Sequence, residues 1–219
     1  GFIECISELL DDDGVWHFEQ SYLPSMLRTG SYDTICHEHL EYYSAGVVKK
    51  MLADSGLIII DIQFNDVNGG SFAVTAAKKT TSLKCNHVVI DWLLRQEEKM
   101  GLDTLKPYKD FENSVHNHKK NLRDIICSLN ADGKKIIGYG ASTKGNTLLQ
   151  FCGLTQTEIP YIAEVNQDKF GCVTPGTNIP IISEEEARKM KPDYFFVLPW
   201  HFKYGILQRE REFISNGGK

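Results

Sequence analysis

Residues 32–44 read YDTICHEHLEYYS and set two histidines, two glutamates and three tyrosines side by side. Four chemistries suit such a set. His37-x-His39 is a possible metal pair if an extended chain turns both rings to one side, but Glu38 and Glu41 do not fall on that side and no further His or Cys cluster stands near in sequence. Cys36 beside His37 is a possible nucleophile and base, although adjacent residues of an extended chain point apart. General acid–base work needs an imidazole near neutral pKa, a carboxylate to orient it and phenols to hold a substrate oxygen, and all three are present. The remaining reading is a polar loop whose side chains satisfy one another. The convergence of residue types favours acid–base chemistry.

Three other stretches carry potential ligand contacts. GYGASTKG, residues 138–145, follows a predicted strand and opens a predicted helix, the setting in which backbone N–H groups admit a phosphate. Lys144 offers a charge there, and Ser142 or Thr143 a hydroxyl. Glu164, at the end of the next strand, stands where a ribose-binding acid stands in dinucleotide folds, yet Thr143 occupies the place of the third glycine. A tight turn in which glycine serves packing alone is the other reading. CVTPGTNIPI, residues 172–181, reads as an extended surface loop with a type II turn at Pro175 and Gly176. LPWHF, residues 198–202, ends a strand with Trp200 and His201, where the indole either stacks on a base or caps the core.

The elements that must position these residues follow from the hydrophobic period. FIECISELL reads as a helix, VWHFE as a short strand, and Ser44 as the N-cap of a helix that Gly56 ends. LIIIDIQF is a buried strand, NDVNGG a turn and SFAVTAAKK its antiparallel partner. From Asn86 to about Leu129 the pattern is helical in two pieces, broken near Pro107, and most of Glu97, Glu98, His116, His118, Lys119 and Lys120 read as a solvated face. Strand, helix, strand, helix, strand then runs to the end of the chain, a parallel α/β unit with three strands. We expect three parts: 1–84, the end of one α/β domain with a β-hairpin; 85–131, a helical connector; and 132–219, a Rossmann-like domain.

Composition excludes some classes. A formal charge of −5 without long basic runs does not suit a nucleic-acid binder. No apolar run reaches the roughly 18 residues of a membrane span, and the first ten residues lack the basic start of a signal peptide. Six dispersed cysteines without a CxxC pair suggest reduced thiols in a cytoplasmic protein. Both ends read as interrupted elements, so a piece of a longer protein is expected.

Taken in order, YDTICHEHLEYYS, LIIIDIQF, NGGS, GYGASTKGNTLL, PGTNIPI and LPWHF resemble the S-adenosylmethionine-dependent sugar-nucleotide C-methyltransferases over essentially the whole chain. These enzymes add a methyl branch to a ketosugar carried on a nucleoside diphosphate. The resemblance implies a parent with an N-terminal zinc-binding segment, a methyl-donor domain holding S-adenosylmethionine, and a C-terminal Rossmann-like domain that helps hold the sugar nucleotide. The chain would begin inside the donor domain, without the donor's glycine loop or the zinc cysteines, and would not methylate alone. By similarity His39 is the base that removes the proton next to the ketone, Glu38 orients a ring or holds a sugar hydroxyl, and His37 assists. Tyr42, Tyr43, Asn68, Gly69, Gly70 and Ser71 would lie near the sugar. Gly138, Gly140, Ala141, Lys144, Pro175 and Gly176 would lie near the nucleotide sugar, with Trp200 and His201 near its base or sugar. Two positions depart from the family pattern: Cys36 stands where a tyrosine is common, and Asn68 opens a turn that commonly begins with histidine. A non-catalytic nucleotide-sugar-binding module and an NAD-dependent dehydrogenase, built on GYG with Glu164, remain as other readings.

Overall fold

The computed structural model describes residues 1–219, except that the side chain of Asn68, one of the expected sugar contacts, lies outside the described residues. The chain divides into two compact units, residues 1–31 with 40–112, and residues 32–39 with 113–219.

The first unit holds α1 (Phe2–Leu9), β1 (Val15–Ser21), α2 (Leu23–Thr29), α3 (Ala45–Asp54), β2 (Leu57–Asn65), β3 (Ser71–Lys78) and α4 (His87–Met100). Its sheet has the order β1-β3-β2, with β3 antiparallel to both neighbours. Because β3 is central and covered on both faces, its alanines Ala73, Ala76 and Ala77 are all buried, whereas a half-exposed strand would alternate. The run of isoleucines in β2 also fails to alternate, since a register shift between Ile59 and Asp61 lets Ile59 and Ile60 both turn inward. Leu52, Leu57, Phe72 and Val74 form the centre of this core.

Ser44 caps α3 as expected, its Oγ accepting the Val47 N–H at 3.3 Å. The rest of that helix start is held from α4. Glu97 accepts the Ala45 and Gly46 N–H groups at 2.7 and 2.8 Å and the Tyr22 hydroxyl at 2.8 Å. Glu97 is therefore not on a solvated face; it is 5% exposed, while Glu98 is exposed. The break after α4 falls near Pro107 as expected, but the proline does not make it. Gly101, at φ +67°, closes α4, and Pro107 stands in the first turn of α5 (Lys106–Ala131), where a missing N–H is tolerated.

The second unit takes in residues 113–131 of α5 and then β4 (Ile136–Tyr139), α6 (Thr143–Cys152), β5 (Ile162–Glu164), β6 (Ile181–Ser183), α7 (Glu184–Lys189), β7 (Tyr194–Val197), α8 (Lys203–Arg209) and α9 (Arg211–Ser215). All four strands are parallel, in the order β6-β5-β4-β7, which agrees with a Rossmann-like arrangement. The chain steps outward from β4 through β5 to β6 and then returns to the other side of β4. The order thus reverses between β4 and β7, whose C-terminal ends are Tyr139 and Val197.

Two expectations are corrected here. There are four strands, not three, because the stretch read as an extended surface loop folds back on itself: Val173 bridges Pro180, Thr174 and Ile179 are buried, and β6 begins at Ile181. Three residues after a proline are too short to show a period. The closing helix is likewise two helices, interrupted at Glu210, whose carboxylate turns inward to Arg188 and Tyr139.

Candidate functional site

The histidine stretch is neither helix nor strand. It starts from a 3-10 turn, Tyr32–Thr34, whose three side chains are all buried. Tyr32 anchors it on one side: its hydroxyl meets His118 Nδ1 at 3.0 Å and Cys152 Sγ at 3.3 Å, and its ring tilts onto Phe151. Burial, and then the bond to the Cys152 thiol, hold this phenol well above its ordinary pKa, so it stays a neutral donor. His118, expected on a solvated face, thus has a defined partner, and His116 and Lys119 pack on the Phe151 ring.

Asp33 anchors the other side. It is 4% exposed and accepts the Trp200 Nε1–H at 3.0 Å. From this base the backbone closes in successive turns: Ile35 N–H to Tyr32 O, Cys36 N–H to Thr34 O and His39 N–H to Cys36 O, at 2.9, 3.0 and 3.0 Å. Cys36 and His39 are half-buried, and His37 and Glu38 are exposed. A turn does not alternate like a strand, so the premise of a His37-x-His39 metal pair is absent. Among the described residues no three His, Cys, Asp or Glu side chains gather as a metal site.

Lys144 and His201 stand within electrostatic reach of the same Asp33. Burial lowers the Lys144 amine below its usual range, opposed by the charges of Asp33, Cys36 and Glu38. Burial and then the Lys144 charge push the His201 imidazole down, with Asp33 opposing. His201 Nδ1 is buried without a hydrogen-bond partner among the described residues, as is Asn146 Oδ1. A cavity of about 580 Å³, within the range of small-molecule sites, opens beside this cluster, lined by Cys36, His37, Thr143, Asn146, Phe151 and Pro175 among others. The second unit therefore brings together the histidine turn, the start of α6, the Pro175 turn and the Trp200–His201 corner.

The glycine loop is built differently from a dinucleotide fingerprint. A Cβ at Gly138 would strike Ile162, and one at Gly140, at φ +86°, would sit 2.6 Å from Pro199, so packing accounts for both glycines. Glu164 is 7% exposed, and its two oxygens accept the N–H groups of Ala141, Val165 and Asn166 at 2.7, 2.8 and 3.0 Å. Lys169 closes the loop by donating to the Ala141 carbonyl at 2.7 Å. A carboxylate engaged in this way is not free to take the two hydroxyls of a ribose. Pro175 is tied to α6 by the Gln150 amide, 2.8 Å from its carbonyl, and Gly176 has the positive φ that the turn needs.

The remaining expected contacts belong to the first unit. Tyr42 is half-buried. Tyr43 packs against that unit's core and lines an apolar cleft of about 740 Å³ with Phe2, Trp16 and Phe18. Gly69 and Gly70 have φ of +88° and +127°, and the buried Ser71 donates its hydroxyl to the Val67 carbonyl at 3.0 Å.

Asp33 is not among the residues expected at the site, because nothing local distinguishes an acid whose partner lies 167 residues away.

Residues 66–219 match the model of a family described as the C-methyltransferase C-terminal domain. The chain is also 36% identical over 214 residues to the C-methyltransferase NovU of Streptomyces niveus, an alignment covering 98% of this chain and 51% of that protein. The chain thus spans about half the length of the curated relative it matches. With its histidine turn, parallel sheet and C-terminal domain in hand, the chain belongs to the C-methyltransferase family, in the part that carries its C-terminal domain.

Proposed function

We propose that the chain holds a nucleoside-diphosphate ketosugar for C-methylation, with His39 removing the proton on the carbon next to the ketone. The observation that carries this reading is the fastening of the His39 turn, through Asp33 and Trp200, to the strand end where the sheet order reverses and Lys144 and His201 stand. In open α/β sheets ligands bind at that reversal. A half-buried imidazole on a turn can approach a ligand there, and histidine is a residue type suited to general-base work. The exposed Glu38 is placed to orient a ring or hold a sugar hydroxyl, and His37, at the cavity rim, to assist. Lys144 offers positive charge to the diphosphate beside the Gly138, Gly140 and Ala141 loop and the Pro175 and Gly176 turn. Trp200 and His201 face the sugar or base.

The family's methyl donor, S-adenosylmethionine, does not fit the glycine loop described here, since Glu164 is committed to backbone N–H groups and cannot take the donor's ribose. The same fact weighs against an NAD-dependent dehydrogenase. Zinc finds no ligand set among the described residues.

The test needs neither group. With a nucleoside-diphosphate ketosugar in deuterated buffer, the protein should wash deuterium into the carbon next to the ketone, and His39→Ala should slow this by about 10²–10⁴-fold. An unchanged rate in His39→Ala removes the base assignment. Calorimetric binding of the sugar nucleotide without any exchange points instead to a non-catalytic binding module, and binding of NAD to a dehydrogenase.

A further inference from the structure

We propose that Asp33 is a positioning residue, its buried carboxylate, hydrogen-bonded to the Trp200 indole, fixing the turn that carries His39 against the end of β7. The inference rests on the reading of His39 as a base.

Burying a carboxylate is far costlier than burying a neutral side chain of the same size, so its presence at 4% exposure calls for a compensating role. The Trp200 Nε1–H supplies one strong, charge-assisted bond at 3.0 Å. Lys144 and His201 lie within electrostatic reach of the same carboxylate. Tyr32, the preceding residue, holds the 3-10 turn to α5 and α6 through His118 and Cys152, so residues 32 and 33 clamp one end of the turn in two directions. Beyond them, backbone turns at Ile35, Cys36 and His39 carry the chain to His39. Freed from Asp33, the turn keeps its backbone bonds but loses its fixed angle to the strand end. Proton abstraction is sensitive to such angles, because displacement of a reacting group by about 1 Å costs on the order of 100-fold in rate.

The experiment compares Asp33→Leu, Trp200→Phe, their combination and Asp33→Asn. Two readouts are taken: deuterium wash-in next to the ketone of a nucleoside-diphosphate ketosugar, and backbone amide exchange over residues 35–39. Asp33→Leu and Trp200→Phe should each slow wash-in by about 100-fold and speed amide exchange in the turn. Asp33→Leu should bind the sugar nucleotide within about threefold of the native protein, so that the loss falls on the rate and not on binding. The combination should be no worse than either change alone, as for two ends of one bond. Asp33→Asn keeps an oxygen for the indole and should retain wash-in within about threefold. Native rates in the Leu and Phe variants, additive losses, or an Asn variant as slow as the Leu variant would each overturn the proposal. Should Asp33→Leu fail to fold, Trp200→Phe and Asp33→Asn decide between the same outcomes. If the native protein washes in no deuterium, the base assignment fails by itself, and unchanged amide exchange at 35–39 in Trp200→Phe still overturns the tie.

Discussion

Glu97 in the first unit and Glu164 in the second are the same device in different settings. Each is a buried carboxylate that accepts backbone N–H groups at the start of a helix or loop: Glu97 at the first turn of α3, Glu164 at the loop leading into α6. The sequence suggests opposite fates for them, since one lies in a charged helical run and the other ends a strand before a ligand-type turn. The structure gives both chiefly to the backbone, with the Tyr22 hydroxyl added at Glu97 and the Lys169 ammonium 3.8 Å from Glu164. A glutamate at a ligand-like position is therefore weak testimony for a ligand until its oxygens have been counted, and a glutamate in a charged run is equally weak testimony for solvent.

The largest expected effect tests whether the two are equivalent. Glu97→Ala leaves one buried and one half-buried N–H group and a phenol without an acceptor, and Glu164→Ala leaves three N–H groups, so each should destabilise its unit by about 3 kcal/mol. The tryptophans separate the units: Trp16 and Trp92 report on the first, Trp200 on the second. Denaturant unfolding followed in single-tryptophan backgrounds should show each loss in its own unit. If Glu164→Gln instead leaves folding unchanged and abolishes nucleotide-sugar binding, the comparison breaks and Glu164 regains a ligand role.

A smaller effect sharpens the contrast with a carboxylate satisfied by a charge. Glu210 is 3% exposed and bonded by Arg188 Nε at 3.0 Å and the Tyr139 hydroxyl at 2.9 Å. Burial works to raise its carboxyl pKa, but the Arg188 and Tyr139 bonds outweigh it and hold the group below the ordinary range. Arg188→Ala should cost about 2 kcal/mol, at the low side for a broken buried pair because the guanidinium is partly exposed. A loss as large as that from Glu164→Ala would put ionic and backbone partners on the same footing.

The smallest effect concerns pH. His201 has its imidazole pKa lowered in the folded chain, so the unfolded state takes up the proton first. Its share of stability is complete above the ordinary value of 6.5 and is lost as pH falls from there through the folded value. His201→Gln should flatten the acid side of the second unit's stability curve and leave the first unit's unchanged. An identical acid limb in the variant would show that His201 contributes nothing to it.

What was legible in the sequence was local. Ser44 as a cap, the hairpin-like return from β2 to β3, and the strand–helix alternation of the second unit each rest on signals within a few residues. What was hidden was carried by partners far along the chain: Tyr22 to Glu97 over 75 residues, Ala141 to Glu164 over 23, and Trp200 to Asp33 over 167. β6 escaped for the opposite reason, being only three residues long and following a proline. The histidine turn could be recognised as chemistry from its residue types, but what fixes it in place could not.

The central position of β3 also sets a timetable. Ser21 pairs with Ser71 and Val15 with Ala77, so β1 leaves the ribosome roughly 50 to 60 residues ahead of the strand that must receive it. At about 5–20 residues per second, the edge of β1 that pairs with β3 waits several seconds for its partner. Slowing translation through the α3 and β2 codons would lengthen that wait, and recruitment of chaperones to the nascent chain should peak there and fall once β3 has emerged.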